Sequence, residues 1–351
     1  MTSAVSITSP IEAMLGGPRP DAITLGVVAS LSGVMGVAGP GIVNAAQLAA
    51  EEEAAVLDRP VRLVVIDAGQ GPAQTARDVD AVMGGAGLDG LVGAHTSDVR
   101  VAIERTIVGR LPYVFTPPHE LLHPSGRTVF IGDGPLAQLR EPVRKLMGDG
   151  RARRWALIGN DYVWPRAMHT AARAVIGDLG GQVVYDRLVP VGVTNPDELV
   201  DHVSRSRPDA VLVSLIGRDG ILFHRAFGAS AVSGSCLRLC TALDENCLLA
   251  AGGDETGNLF SAMPFFDVDD GGFDSIHSAY ASRYGALAPT PGAYAVGCYD
   301  GVRLLAEVVG RRADLTQMRA RSYAGLRTRG SVSLARAAGT WLEPVAAGDR
   351  P

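Results

Sequence analysis

One lysine, Lys145, occurs in the 351 residues of this chain. It follows Arg144, so the Gly-Lys-Ser/Thr phosphate loop is absent. Lysine Schiff-base chemistry has that single candidate, on a predicted surface helix. Cysteine is scarce as well: Cys236, Cys240, Cys247 and Cys298. None stands in a Cys-x-x-Cys pair, and no Cys/His set has zinc spacing. Cys236 and Cys240 flank a predicted strand start, which leaves open both a local disulfide and unpaired buried thiols of a reducing compartment. There is no Gly-x-Ser-x-Gly nucleophile elbow. Among the 7 histidines only His119 and His123 stand four apart, in a proline-rich loop where helical spacing has no meaning. Neither a metal nor a cofactor is expected, and no catalytic set is assembled. Gly39-Pro40-Gly41 lacks the third glycine of a dinucleotide fingerprint, with Asn44 in that place.

Long apolar runs are missing too. None approaches the roughly 18 residues of a membrane span. Residues 1–22 hold no basic residue before Arg19 and no apolar stretch of about 7–15 residues, so no secretory signal is read there. The expectation is a cytoplasmic protein, or a periplasmic or cell-surface one had a leader been removed. Net charge is −5, and the one basic cluster, Arg151, Arg153 and Arg154, leads into the apolar run Trp155–Ile158. A nucleic-acid footprint needs a stripe of such residues, so no direct nucleic-acid partner is expected.

What the chain does have is regular alternation. After a loose leader over 1–22, short apolar runs at Ile23–Ala29, Val61–Asp67, Leu88–Ala94 and Pro112–Thr116 alternate with helical periodicity at Gly41–Leu57, Ala73–Met83 and Val99–Val108. The pattern pauses at Pro117–Arg127 and restarts with strands at Thr128–Ile131, Trp155–Ile158, Val183–Pro190, Ala210–Leu215, Leu237–Leu243 and Leu259–Pro264. Long helices follow at Phe273–Tyr284 and Tyr294–Val309. Such runs predict βαβ units on parallel sheets. The organisation read from this is a first α/β lobe of 22–130 plus about 264–330, and a second of 131–263 plus the C-terminal tail.

Open α/β sheets bind ligands beyond the carboxyl ends of their strands. In the first lobe those ends are Ser30–Gly33, His95–Ser97 and Thr116–His119; in the second they are Asn160–Trp164, Gly217–Gly220 and Leu243–Asn246. Ser97 opens a helix, where it reads as an N-cap, as a ligand contact beside free N–H groups, or as both. Tyr162 and Trp164 offer an apolar wall with a polar handle, with Pro165 opening a helix. Phe115 reads equally as core. Asp244 and Glu245 suit a helix N-terminus or a ligand N–H. Arg218 and Asp219 suit a mutual surface pair, or a carboxylate ligand if Arg218 turns inward.

Leu25–Gly33 (LGVVASLSG), Val92–Ser97 (VGAHTS) and above all Ile158–Arg166 (IGNDYVWPR) resemble the branched-chain amino-acid, amide and urea branch of type I periplasmic-binding proteins. The likeness covers roughly residues 22–310 and is nearest to AmiC-type cytoplasmic amide sensors. It implies two Rossmann-like lobes with parallel sheets, joined by a multi-strand hinge. It also implies a small polar ligand (amide, urea or amino acid) held by Ser97, His95, Thr96, Phe115, Thr116, Pro117, Tyr162, Trp164, Gly217, Arg218, Asp244 and Glu245. His95 and Phe115 stand where the family has tyrosines, and Arg218-Asp219 where amide sensors have small residues, which points away from plain acetamide.

The function so implied is a non-enzymatic sensor that closes on its ligand and regulates a partner, an RNA-binding antiterminator of an amidase-type operon. The alternative is the substrate-binding subunit of an ABC transporter, partnered by a membrane permease. Self-association as a homodimer stays open. A DNA-binding repressor would need a further 50–60 residues or so at a basic N-terminus, and an enzyme would need the catalytic set that is missing.

Overall fold

The segment expected to be a loose leader is folded. The computed structural model describes residues 4–120, 128–148, 150, 152–266, 276–311 and 333–346, and within it Val5–Thr8 is strand β1 and Pro10–Gly16 is helix α1. The local chemistry explains both. Ser9 accepts from the Glu12 N–H while the Glu12 carboxylate accepts from the Ser9 N–H, a capping box, and Pro10 opens the helix. The far end is held by Arg62, a buried side chain that donates to the carbonyls of Ala13 and Gly17, each at 2.8 Å. A cation there also meets the negative end of the helix dipole.

The described residues fall into two compact units: 4–118, 128–132 and 276–311 in one, and 119–120, 133–266 and 333–346, as far as described, in the other. In the first, β2 (Ile23–Ala29), β3 (Val61–Asp67), β4 (Gly90–Ala94), β5 (Tyr113–Phe115) and β6 (Thr128–Phe130) join β1 in one parallel sheet of order β1-β3-β2-β4-β5-β6. All seven residues of β2 are buried, as a strand covered on both faces requires. Each Val, Leu or Ile so buried contributes about 1.5–3 kcal/mol. Helices α2 (Gly39–Leu57), α3 (Pro72–Ala86) and α4 (Ser97–Ile107) follow their strands.

The second unit holds α5 (Pro135–Met147), β7 (Arg154–Asn160), α6 (Val163–Asp178), β8 (Gln182–Val189), α7 (Pro196–Ser206), β9 (Ala210–Ser214), α8 (Gly217–Ala229), β10 (Leu237–Cys240), α9 (Glu245–Ala251) and β11 (Leu259–Met263). Its strands run β11-β10-β9-β7-β8 in parallel. An antiparallel hairpin, β12 (Ser333–Ala338) and β13 (Trp341–Pro344), extends the sheet beyond β11. That hairpin is tied down through Asp254, which bridges to Gly339 by backbone hydrogen bonds of 2.8 and 3.0 Å. The Asp254 carboxylate also pairs with wholly buried Arg238 at 2.5 Å.

Helices α10 (Ile276–Tyr284) and α11 (Ala293–Gly310) return to the first unit, where α11 packs on α2 and β4. Polar ties lock this packing: Arg303 to Glu53 at 3.0 Å, Asn44 to Tyr280 at 3.0 Å, and Tyr299 to Glu52.

Candidate functional site

The parallel strands of each unit end at the loops named from sequence. In the first unit the loop after β2 is shaped by Asp67, whose carboxylate accepts from the N–H groups of Leu31 (2.9 Å) and Ser32 (3.2 Å) and from the Ser32 hydroxyl (2.6 Å). Burial works to raise the Asp67 pKa, but these bonds outweigh it and leave it below the usual carboxylate range. Gly69 is required here, since a Cβ on it would lie 2.1 Å from the Ser32 carbonyl oxygen.

At the end of β4, His95 is an interior side chain. Its Nδ1 lies 3.0 Å from the Thr96 carbonyl oxygen and its Nε2 2.9 Å from the Tyr113 hydroxyl. A carbonyl can only accept, so Nδ1 carries the proton and Nε2 accepts from Tyr113. Burial lowers the His95 pKa to about 4 and raises that of Tyr113. Gly93 makes room for the pair, because a Cβ there would lie 2.5 Å from the Tyr113 hydroxyl.

Thr96, not Ser97, holds the N-cap position of α4, with φ −73° and ψ 154°, and its side chain makes no capping bond. Ser97 is the first helical residue. It is 2% exposed, and its Oγ is enclosed with no hydrogen-bond partner. The first turn of α4 therefore presents N–H groups without a side-chain cap next to an unused hydroxyl. Phe115 is fully buried, with ring centroids 5.4 Å from His95 and 5.9 Å from Phe130. Thr116 is buried and donates to the Gly93 carbonyl at 3.2 Å, while Pro117 beside it is buried too.

In the second unit Tyr162 holds the N-cap position of α6, half-buried, with its ring centroid 6.4 Å from that of Trp164. Trp164 is buried, and its indole Nε1 has no acceptor. Gly217 opens α8 with φ +45°, which suits glycine. The surface pair expected between Arg218 and Asp219 does not form. Arg218 is exposed, whereas Asp219 is wholly buried and accepts from Asn160 (2.7 Å), Gly192 N–H (2.8 Å) and Val193 N–H (2.9 Å). Asp219 is turned inward by these three bonds while Arg218 faces solvent, which keeps the two apart. Asn160 completes the tie by accepting from the Ile216 N–H at 2.9 Å. The Gly192 and Val193 loop it secures borders a groove of about 220 Å³ that also includes Arg187, Asn195 and His202. Sequence reading missed Asn160 as an anchor, although it stands inside the IGNDYVWPR segment.

Asp244 caps α9, accepting from the Cys247 N–H at 2.9 Å. Burial raises its pKa against that bond. Glu245 is the buried first residue of α9.

No Cys–His pair was anticipated as acting together, yet Cys240 Sγ lies 3.1 Å from His224 Nε2. Burial lowers the histidine to about 3 and raises the thiol, so both are neutral. The adjoining cavity measures about 10 Å³, room for little beyond a water. A nucleophilic pair needs a thiolate and space for substrate, and this pair has neither. His119, Glu120 and His123 stand at the H-E-x-x-H spacing of zinc hydrolases, which works only on a helix. His119 and Glu120 lie in irregular backbone, and His123 lies outside the described residues. Among the described residues no cluster of three or more His, Cys, Asp or Glu could hold a metal, and no helix is long and apolar enough to cross a membrane.

A family model described as periplasmic binding protein matches residues 22–345. The chain belongs to the periplasmic binding protein family. Solved structures with this fold include the amino acid ABC transporter substrate-binding protein of Pseudomonas fluorescens Pf-5 (16% identity, 94% of this chain and 95% of that one, TM-score 0.74). A solute-binding protein of an R. palustris ABC transporter, in complex with benzoate, matches at 14% identity over 93% and 96% with TM-score 0.72. The fatty acid ABC transporter substrate-binding protein of Thermomonospora curvata matches at 17% over 95% and 94%, with TM-score 0.74. These neighbours are transport proteins, and none is a cytoplasmic amide sensor, so the expected sensor role and antiterminator partner gain no support from them.

Proposed function

We propose that this chain is the substrate-binding subunit of an ABC transporter for a small polar ligand: an amide, a urea-like compound or an amino acid. The observation that carries the proposal is the first turn of α4, where uncapped N–H groups adjoin the enclosed, unpartnered Ser97 Oγ. A helix N-terminus of this kind suits a carbonyl or carboxylate oxygen. Family membership and the transport roles of the structural neighbours support the transporter reading over the sensor. Their ligands differ from one another in chemistry, so the ligand is read from this chain's own residues. The proposal assigns ligand contacts to Thr96 and Ser97 at the end of β4, and treats Tyr162 and Trp164, at the end of β7, as a separate candidate contact. Trp164 would give its free indole N–H to a ligand acceptor. His95 and Phe115 would act from behind, as support.

The proposal places the protein on the outer side of a membrane, with a permease as partner. The four cysteines are buried and free, which suits an oxidising compartment as well as a reducing one, since burial holds their thiols protonated.

A thermal-shift screen with aliphatic amides, urea, branched-chain amino acids and short carboxylates tests the reading. A ligand that binds only the folded state stabilises by about 2.7 kcal/mol at a hundredfold excess over Kd. One class should raise the Tm and be recovered unchanged. No shift with any class, or turnover of the ligand, would overturn the proposal.

A further inference from the structure

Asp98 is the second residue of α4, and its Oδ1 is shut off from solvent with no hydrogen-bond partner. An acidic residue in a first helical turn has an ordinary explanation in the helix dipole, which favours a negative charge there. That explanation is complete for a carboxylate facing water. Asp98 is half-buried as a residue, and the dipole does not account for its one enclosed oxygen, Oδ1, which accepts nothing where a buried acceptor gains from a donor. Ser97, one residue before, holds the second enclosed and unused oxygen of the same turn. Arg100 N–H is the first in the helix to find a backbone partner, the Thr96 carbonyl at 3.1 Å, so the N–H groups before it face outward from the turn.

We infer that Asp98 selects the ligand by requiring an N–H donor beside its oxygen acceptor. This rests on the reading of α4 as the ligand site. The oxygen would be held by the N–H groups of the first turn and the Ser97 hydroxyl, and the N–H by Asp98 Oδ1. A carboxamide, a ureido group and the ammonium of an amino acid all meet that requirement. A plain carboxylic acid does not. It brings no donor for Asp98 and sets a second negative charge beside the first. Benzoate, which the R. palustris neighbour holds, is of the class this residue excludes.

The test is calorimetric titration of the full chain with matched pairs, propionamide against propionate and leucinamide against leucine, with urea as a further neutral probe. Wild type should bind the nitrogen-bearing member of the first pair at least about tenfold more tightly than the acid. Both members of the second pair carry an α-amino group, so that pair compares a carboxamide with a carboxylate as the oxygen acceptor when an N–H donor is present in each; propionamide and urea supply the N–H without an ammonium. Asp98→Asn keeps the size of the side chain, removes its charge and adds donors of its own. It should shrink the propionamide preference by about tenfold. Asp98→Glu, with circular dichroism matching wild type, should retain part of the preference. The inference is overturned by an acid that binds wild type as well as its amide, or by a ratio that Asp98→Asn leaves unchanged. If Ser97→Ala weakens binding while Asp98→Asn leaves the ratio alone, only the role of Asp98 is lost. If neither change affects a ligand that binds, or no probe binds, the site at α4 is lost with it.

Discussion

Helices α4 and α9 each begin just past a buried strand, and each carries polar residues where a ligand was expected. They use those residues differently. At α9, Asp244 turns its carboxylate onto the Cys247 N–H and completes the helix. At α4, Thr96 stands in the cap position and caps nothing, while Ser97 and Asp98 each keep an enclosed oxygen without a partner. Other polar groups of the second unit are committed as Asp244 is: Asp219, Asn160, Arg238 and Asp254 hold loops and the β12–β13 hairpin. A polar side chain at a strand end becomes a candidate for ligand contact only after the backbone beside it has been satisfied. Position alone treats Asp244 and Ser97 as equals; hydrogen bonding separates them.

The sharpest way to test that contrast is to remove a group that serves structure alone. Asp254→Ala leaves Arg238 buried without its carboxylate and should cost about 3–5 kcal/mol in urea denaturation. Ligand affinity of the molecules that remain folded should not change. Acidification probes the interiors of both units. His95 is lowered to about 4 and His224 to about 3, whereas an unfolded histidine titrates near 6.5. Between these values the unfolded chain takes up protons that the folded chain refuses. Stability is therefore complete above pH 6.5 or so and declines as pH falls toward 4, by about 3 kcal/mol for His95. Denaturation midpoints across that range should fall less steeply in His95→Asn; parallel curves would show that His95 is not held neutral.

Smaller effects bear on the two helices directly. Ser97→Ala should weaken ligand binding by about tenfold and leave stability within about 0.5 kcal/mol, because the hydroxyl bonds to nothing in the folded chain. Asp244→Ala should do the opposite, costing about 1 kcal/mol of stability with affinity within about twofold. Reversal of these two results would dissolve the distinction between α4 and α9. The smallest expected change is a gain. Val108 ends α4 with φ +43° and is exposed, so a β-branched residue occupies left-handed backbone. Val108→Asn should raise stability by about 1 kcal/mol, read as a higher Tm.

Most of the sheet architecture was legible in the chain, because strands buried on both faces read as unbroken apolar runs, as β2 and β9 do. β1 and α1 were not legible by that means. Four residues and seven residues hold too little periodicity, and the signal that was present, Ser9-Pro10-x-Glu12, is a capping pattern. The strand-end loops that make up the candidate site could be named from their positions. The roles within them could not, since they depend on partners far along the chain. Tyr113 meets His95 because β5 lies beside β4, and Asp219 meets Asn160 across 59 residues of sequence. No local pattern encodes such pairings.

The burial of the four cysteines has a practical side. Cys236 and Cys298 are pushed up to about 12, and burial raises Cys240 and Cys247 as well. At neutral pH none offers a thiolate to a maleimide. Arg218→Cys would place one solvent-facing thiol at the start of α8, beside the anchored Asp219. A dye attached there would label each molecule once, without first stripping out the native cysteines, and would turn a binding protein into an optical reporter of its own ligand.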